Sequence, residues 1–93
     1  MKNFSYLHIG GSAIIDKENI LGIFDLDKIT VFKVNRNYLS NAQKKGKIVN
    51  VTNDLPKSCI VYSEKNDNCE RIYLSSLLTS TLLKRSTSNT LEA

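Results

Sequence analysis

The stretch Arg71-Ile-Tyr-Leu-Ser-Ser-Leu-Leu-Thr-Ser-Thr-Leu-Leu-Lys-Arg85 joins the pattern of a strand to that of a short helix. The apolar and aromatic run Ile72-Tyr-Leu74 predicts a strand over residues 71–75. Hydroxyl residues follow, and the apolar segment after them is closed by Lys84 and Arg85, two cations that suit the carboxyl end of a helix. The segment therefore predicts a last strand followed by a short terminal helix.

Short apolar runs separated by turn residues predict the other strands. These runs cover residues 4–9, 13–15, 20–24, 48–51 and 58–63. Gly10-Gly-Ser12 and Asp16-Lys-Glu-Asn19 are expected to form tight turns, which makes the amino-terminal part a meander with short connections. The loop over residues 52–57 contains the only proline, and a polar hairpin is expected to join the last two strands.

One segment, residues 32–45, carries a helical pattern that outlasts a single turn. Four apolar residues recur there at spacings that put them on one helix face: Val34, Tyr38, Leu39 and Ala42. Gly46 is expected to end this helix, and Lys44 and Lys45 suit its carboxyl end. The prediction is an α+β fold, a small antiparallel β-rich domain of about five to six short strands with this main helix and a short C-terminal one.

Length and charge limit the range of functions. A chain of 93 residues forms one domain with a small core, so association with further copies would stabilise it. We expect the domain to span residues 1–85 and a flexible polar tail to follow over residues 86–93. Thirteen Lys and Arg against nine Asp and Glu give a net charge of +4, which favours a polyanionic partner without requiring one.

The cysteines and the hydropathy pattern predict a cytoplasmic protein. Cys59 lies within an apolar strand and is expected in the core, whereas Cys69 lies in a polar turn and is expected to be exposed. A structural disulfide is therefore not expected. No segment approaches the roughly 18 apolar residues that a membrane span requires, so no membrane partner is expected.

The pattern of polar residues predicts neither catalysis nor a bound cofactor. His8 is the only histidine and lies in an apolar strand, so neither a Ser-His-Asp arrangement nor a multi-histidine metal site is expected within one protomer. It is expected to be an interior or interface residue. Gly10-Gly11 lacks the further residues of a phosphate loop. Asp25 and Asp27 are typical of a turn or of the start of a helix. No metal, cofactor or small-molecule substrate is inferred.

Cationic and amide residues are the remaining candidates for contact with a partner. Six of them form the predicted nucleic-acid-binding set: Lys17, Asn19, Arg36, Lys57, Lys84 and Arg85. We expect Lys17, between the second and third strands, and Lys57, before the fifth, to reach one edge of the sheet and contact phosphates. Asn19 and Arg36 could read bases from rigid elements. Lys84 and Arg85 form a second patch, for which simple helix capping is an equal alternative.

Several segments together resemble the small Rem-type regulators of bacterial extracellular-matrix genes, and most of all their RemB branch. The similarity covers residues 6–85. It rests on these segments: Tyr6-Leu-His-Ile-Gly-Gly11, Ile20-Leu-Gly-Ile-Phe-Asp-Leu-Asp27, Asp54-Leu-Pro-Lys-Ser58, Ile72-Tyr-Leu-Ser75 and Thr81-Leu-Leu-Lys-Arg85.

The resemblance implies a β-rich domain that assembles with copies of itself, with a ring as one form, and in the RemA branch binds DNA at promoters of matrix genes. The two loops that carry Arg in that branch here contain Lys17-Glu-Asn19 and Leu55-Pro-Lys57. The sequence therefore predicts a homo-oligomeric, non-enzymatic regulator of biofilm genes that binds duplex DNA through a repeated basic edge. The alternative is an oligomeric scaffold that modulates another regulator without contacting DNA.

Overall fold

The computed structural model describes residues 5–64 and 70–87 of the chain. In these two ranges the elements are, in order, β1 (Tyr6–Gly10), β2 (Ala13–Asp16), a 3-10 turn (Lys17–Asn19), β3 (Ile20–Asp25), α1 (Leu26–Ile29), α2 (Lys33–Lys44), β4 (Ile48–Asn50), β5 (Ser58–Ser63), β6 (Glu70–Ser75) and α3 (Thr79–Thr87). This arrangement confirms the predicted α+β class, with a main helix and a short terminal helix. The short helix α1 was not counted among the predicted elements, but Asp25, expected at a turn or at the start of a helix, is its N-cap.

The strands form two sheets. β1 and β2 pair as an antiparallel hairpin, and the second sheet has the order β3-β5-β6-β4. The predicted meander was wrong at its third strand, because β3 leaves the hairpin and pairs with β5 instead. β4 runs parallel to β6, so this sheet is mixed. The cause is the helical connection through α1 and α2, since a crossover of this kind returns the chain in its starting direction.

Both faces of the larger sheet are covered, which gives the domain three layers. Alternation along β5 sends Ile60 and Tyr62 toward the hairpin and α3, and Cys59 and Val61 toward α1 and α2. The first core contains six buried residues, namely Leu7, Ile9, Ile15, Ile60, Tyr62 and Leu82. The second contains three, namely Ala42, Cys59 and Ile72, so the side under α1 and α2 is packed more thinly.

Helix α2 is close to its predicted bounds, and Gly46 follows it with a φ of 73°, a left-handed conformation typical of a residue just past a helix end. The predicted apolar face is only half correct. Ala42 is buried and Leu39 packs against the second core, but Val34 and Tyr38 are 72% and 45% exposed. The first half of α2 therefore presents apolar surface to solvent.

Glycines and serines join the hairpin to the rest of the fold. Gly10 and Gly11 turn the chain at φ values of 124° and 54°, and a Cβ at Gly11 would lie 3.1 Å from the Val51 carbonyl oxygen. The buried Ser75 hydroxyl donates to the Ile9 carbonyl (2.6 Å) and accepts from the Leu77 N–H (3.0 Å). Ser75 thus connects β1, β6 and the segment that leads into α3.

The structure gives the positions of the buried cysteine, of the histidine and of the end of α3. Cys59 is a buried free thiol, as predicted. His8 is exposed on the outer face of the hairpin, where its Nε2–H donates to the Gly11 carbonyl (2.7 Å), so the interior alternative was wrong and the interface alternative stays a prediction. α3 continues through Ser86 and Thr87, the first two residues of the predicted tail. Cys69, the turn of the last hairpin and tail residues 88–93 lie outside the described residues.

Candidate nucleic-acid interface

The 3-10 turn between β2 and β3 holds the first two predicted site residues. Asp16 caps this turn by accepting a hydrogen bond from the Glu18 N–H (3.0 Å). The Asn19 side chain, which follows, donates from Nδ2 to the Tyr62 hydroxyl at the long distance of 3.4 Å. Lys17 is half-buried at the start of the turn. Asn19 is therefore oriented by a core residue of β5, and Lys17 precedes it by two residues on the same turn.

The end of α3 lies at the same end of β3 as this turn. Lys17 borders a cleft that Leu83 and Ser86 also line. Lys84 and Arg85, between those two residues in the chain, are exposed, and the Arg85 guanidinium donates from Nη1 to the His8 carbonyl (3.1 Å). Arg85 thus connects α3 to β1, a role that the capping alternative did not include. Lys17, Asn19, Lys84 and Arg85 are called the α3-end patch below.

The other two predicted site residues lie at the opposite end of β3. In the pairing of β3 with β5, Ile20 faces Tyr62 and Asp25 faces Ser58, so the strand separates Lys17 from Lys57. The Lys57 carbonyl accepts from the Leu26 N–H (3.0 Å) at the start of α1. The expectation that Lys17 and Lys57 reach one edge together within a protomer was therefore wrong.

Arg36 is also associated with α1 rather than with the α3-end patch. Its guanidinium donates from Nη1 to the carbonyl of Thr30, the residue that ends α1 (2.7 Å). The Arg36 guanidinium and the Lys57 backbone thus lie near the two ends of this one-turn helix. The six predicted residues form one group of four and one group of two, divided by the length of β3.

Three groups have raised pKa values, and in each case the neutral form is favoured. Burial raises the pKa of the Cys59 thiol to about 11. Loss of solvent contact, with the hydrogen bond from the Tyr38 hydroxyl to the Glu70 carboxylate (2.8 Å), raises the pKa of Tyr38 to about 12. Burial likewise raises the pKa of Tyr73. None of these three side chains is poised as a nucleophile at neutral pH.

Two further observations concern the described residues as a set. Across residues 5–64 and 70–87, no three His, Cys, Asp or Glu side chains come together as metal ligands would. No helix in the same ranges is long and apolar enough to cross a membrane.

Sequence reasoning missed the residues that orient the candidate set. The Tyr62 hydroxyl accepts a hydrogen bond from Asn19, and the His8 carbonyl accepts one from Arg85. Both acceptors are distant in the chain from the side chains that they orient. Nothing in the local sequence pattern reveals such contacts. The outward positions of Tyr6 and Ile14, 66% and 62% exposed, do follow from strand alternation.

The fold and the net charge of +4 define the class of small basic α+β domains. The chain matches the RemA-like family, described as "Extracellular matrix regulatory protein A-like", over residues 6–85, and it therefore belongs to that family. It is similar to "Extracellular matrix regulatory protein B" of Bacillus subtilis (strain 168), with 34% identity over 80 residues, which are 86% of this chain and 88% of that protein. The resemblance inferred from the sequence is confirmed.

Proposed function

We propose that this protein is a cytoplasmic, homo-oligomeric regulator of extracellular-matrix genes that binds duplex DNA and has no enzymatic activity. Membership of a family of matrix regulatory proteins supports the biological role. The observation that supports the DNA contact is the α3-end patch: Lys17 of the 3-10 turn lines a cleft together with Leu83 and Ser86, the residues that flank Lys84 and Arg85 in α3.

The members of the α3-end patch suit two kinds of contact. Lys17 and Lys84 carry compact ammonium charges on long side chains, which suit phosphates and fix position without reading sequence. Asn19 and Arg85 are held by the Tyr62 hydroxyl and the His8 carbonyl. Side chains of these two types, when held on rigid elements, are the ones that read base edges in the major groove.

A single patch would bind DNA weakly, because Asp16 and Glu18 lie on the same turn as Lys17 and reduce its positive field. Repetition of the patch around an oligomer offsets this weakness, since each further contact with the same duplex is intramolecular. A ring of subunits would also release counterions from many phosphates at once, so the affinity should fall steeply with salt. The proposal therefore includes self-association.

Exposed apolar side chains support the self-association. Tyr6 and Ile14 lie on the outer face of the hairpin, and Leu21 lies on β3, which is an edge strand of the larger sheet. The other edge strand is β4, on the far side of that sheet. Contacts between two different surfaces of the same chain are heterologous and generate closed rings when the rotation between subunits closes.

The test compares two double charge reversals that change the net charge equally. Lys17→Glu with Lys84→Glu alters the α3-end patch, and Lys44→Glu with Lys45→Glu alters exposed lysines at the end of α2. We expect the first variant to lose most of its affinity for duplex DNA with an unchanged solution mass, and the second to keep most of its affinity. The salt slope of the first should fall by roughly 0.9 for each phosphate that it no longer neutralises.

The remaining variants assign the surface. Lys57→Glu, at the other end of β3, should have a smaller effect than the α3-end double variant. Equal loss in both double variants would mean that only overall charge matters, which would contradict the assigned patch. Absence of duplex binding by the wild type at low salt would reject the DNA proposal and favour the scaffold alternative.

A further inference from the structure

A cavity of about 320 Å³ opens on the α1 and α2 side of the larger sheet. Its floor is apolar and is built from four side chains: Leu26 of α1, Leu39 of α2, Ile48 of β4 and Leu74 of β6. All four are only partly buried and pack against the second core. The cavity is therefore an open depression over the thinly packed second core.

Polar residues on α2 explain why the apolar floor stays open. Arg36, Ser40 and Gln43 follow one another at spacings of four and three, so they form one stripe along α2, and all three line the cavity. A helix that closed a core would carry large apolar side chains in such a stripe. The short Ser40 side chain in particular leaves the floor accessible.

The Arg36 guanidinium is fixed at the rim of this cavity. Its hydrogen bond to the Thr30 carbonyl (2.7 Å) uses one of its five N–H donors and limits the positions it can occupy. Thr30 itself lines the cavity, and its hydroxyl donates a hydrogen bond to the Leu26 carbonyl (2.7 Å). The rim thus presents a positive, planar donor group beside an apolar surface.

We propose that this cavity is a binding site for a small amphipathic anion, with a carboxylate at Arg36 and an apolar body on the four-residue floor. Guanidinium groups pair with carboxylates through two parallel hydrogen bonds, which fixes both position and orientation. Ser40, one helical turn from Arg36, can donate a further hydrogen bond to the head group. A volume of about 320 Å³ is at the lower end for ligand pockets, so the ligand is a short acid such as a medium-chain fatty acid.

This assignment goes beyond the proposed regulatory function and changes the role of one residue. Arg36 was a candidate for reading DNA bases, but it lies beside α1 and apart from the α3-end patch. Its place at an apolar cavity fits a ligand site better than a DNA surface, because base edges and phosphates offer no apolar body to cover the floor. The site therefore gives the protein a means of sensing a small molecule.

The test measures binding of octanoate and 1-octanol to the wild-type protein in the absence of DNA. The two probes share the apolar body and differ in the head group, so calorimetric titration isolates the contribution of the anion. We expect octanoate to bind at least tenfold more tightly than octanol, and chemical-shift changes in the amide NMR spectrum to centre on Thr30, Ser40 and Gln43.

Three variants complete the experiment. Arg36→Gln should remove most of the preference for octanoate, while Lys44→Gln, which removes a charge at an exposed site on the same helix, should keep it. Ser40→Leu should fill the cavity and abolish binding of both probes without loss of folding, since leucine is a strong helix former.

Other results would overturn the proposal. Equal affinities for octanoate and octanol would remove the role of Arg36, and shift changes confined to the hairpin would place the apolar site elsewhere. Co-sedimentation with phosphatidylglycerol vesicles distinguishes a free acid from a lipid surface. Binding to vesicles that Arg36→Gln abolishes, without octanoate binding, would assign the same chemistry to a bilayer and reject a free ligand.

Discussion

Cys59 combines a buried position with an ionisable group, and its environment links the stability of the fold to pH. Its side chain lies in the second core and is almost fully buried, and that burial raises the pKa of the thiol from 9.0 to about 11. A thiolate at this position would be a charge without solvent, which the fold disfavours. The thiol thus behaves as a small apolar side chain as long as it stays protonated.

The raised pKa of Cys59 predicts a loss of stability in alkali. The folded protein holds the proton more tightly than the unfolded chain, so the stabilisation is complete below about pH 9 and is lost as the pH rises through about 11. Between pH 7 and 10.5, urea unfolding should show a loss of about 1–2 kcal/mol that Cys59→Val does not share. Tyr38, with a pKa near 12, acts in the same direction in both proteins and cancels in the comparison.

The outcome that would contradict this prediction is an equal pH dependence in the wild type and Cys59→Val. Both proteins should carry Cys69→Ser, so that Cys59 is the only thiol that differs between them. A parallel loss of stability would then assign the alkaline effect to the tyrosines or to general charge repulsion.

At the scale of elements, Ser75 joins three of them with one hydroxyl. Ser75→Ala would leave the Ile9 carbonyl and the Leu77 N–H without their partner inside the protein. Each unsatisfied buried group costs about 1–3 kcal/mol, so we expect a decrease of roughly 2–4 kcal/mol in the free energy of unfolding. Denaturant titration measures this change, and Ser80→Ala, at an exposed position in α3, is the control that should change little.

A decrease below about 1 kcal/mol in Ser75→Ala would mean that water replaces the missing hydroxyl. In that case β1 and α3 would be held mainly by apolar contacts of the first core. Hydrogen exchange at the hairpin amides distinguishes the two cases. If the Ser75 hydrogen bonds hold β1 in place, exchange in β1 of Ser75→Ala should increase before exchange in β5 does. If water replaces the hydroxyl, exchange in β1 should stay as in the wild type.

Local signals predicted the elements well, whereas long-range pairing was beyond them. β5 has the bounds that its apolar run predicted, and Gly46 follows the end of α2 as expected. The prediction failed for β3, whose partner is chosen by contacts far along the chain, and for the exposed Val34. The parallel direction of β4 was readable in principle, since a strand, a helix and a strand in succession indicate a crossover.

The candidate site shows the same division. Composition and turn positions identified cations at surface positions, but their grouping depends on which strands pair. Lys17 and Lys57 lie at opposite ends of β3 because β3 and β5 are antiparallel neighbours, a fact that no local pattern contains. The link between Arg85 and His8 crosses nearly the whole chain and was invisible for the same reason.

At the scale of the whole molecule, the exposed hairpin predicts assembly. Ile14 is 62% exposed on the outer face of a two-stranded sheet, an arrangement that is marginally stable without cover. We expect a homo-oligomer larger than a dimer at micromolar concentration, measured by light scattering. Ile14→Lys should lower the mass, because it would bury an unpaired charge in the interface.

Leu55→Lys is the matched control for this prediction. Leu55 is 81% exposed in the loop before β5 and is not part of the hairpin, so the mass should remain that of the wild type. Loss of the oligomer in Leu55→Lys and not in Ile14→Lys would move the interface to that loop. A wild-type protein that is monomeric under these conditions would reject self-association altogether.

The position of β6 between β5 and β4 has a consequence for the synthesis of the protein. Both neighbours, β4 and β5, precede β6 in the chain. During synthesis they therefore cannot be joined through β6 until residues 70–75 have left the ribosome. The larger sheet then closes late, since β4 joins the other strands only through the last one made. A nascent chain arrested before Glu70 should accordingly stay open to protease, whereas one released after α3 should resist it.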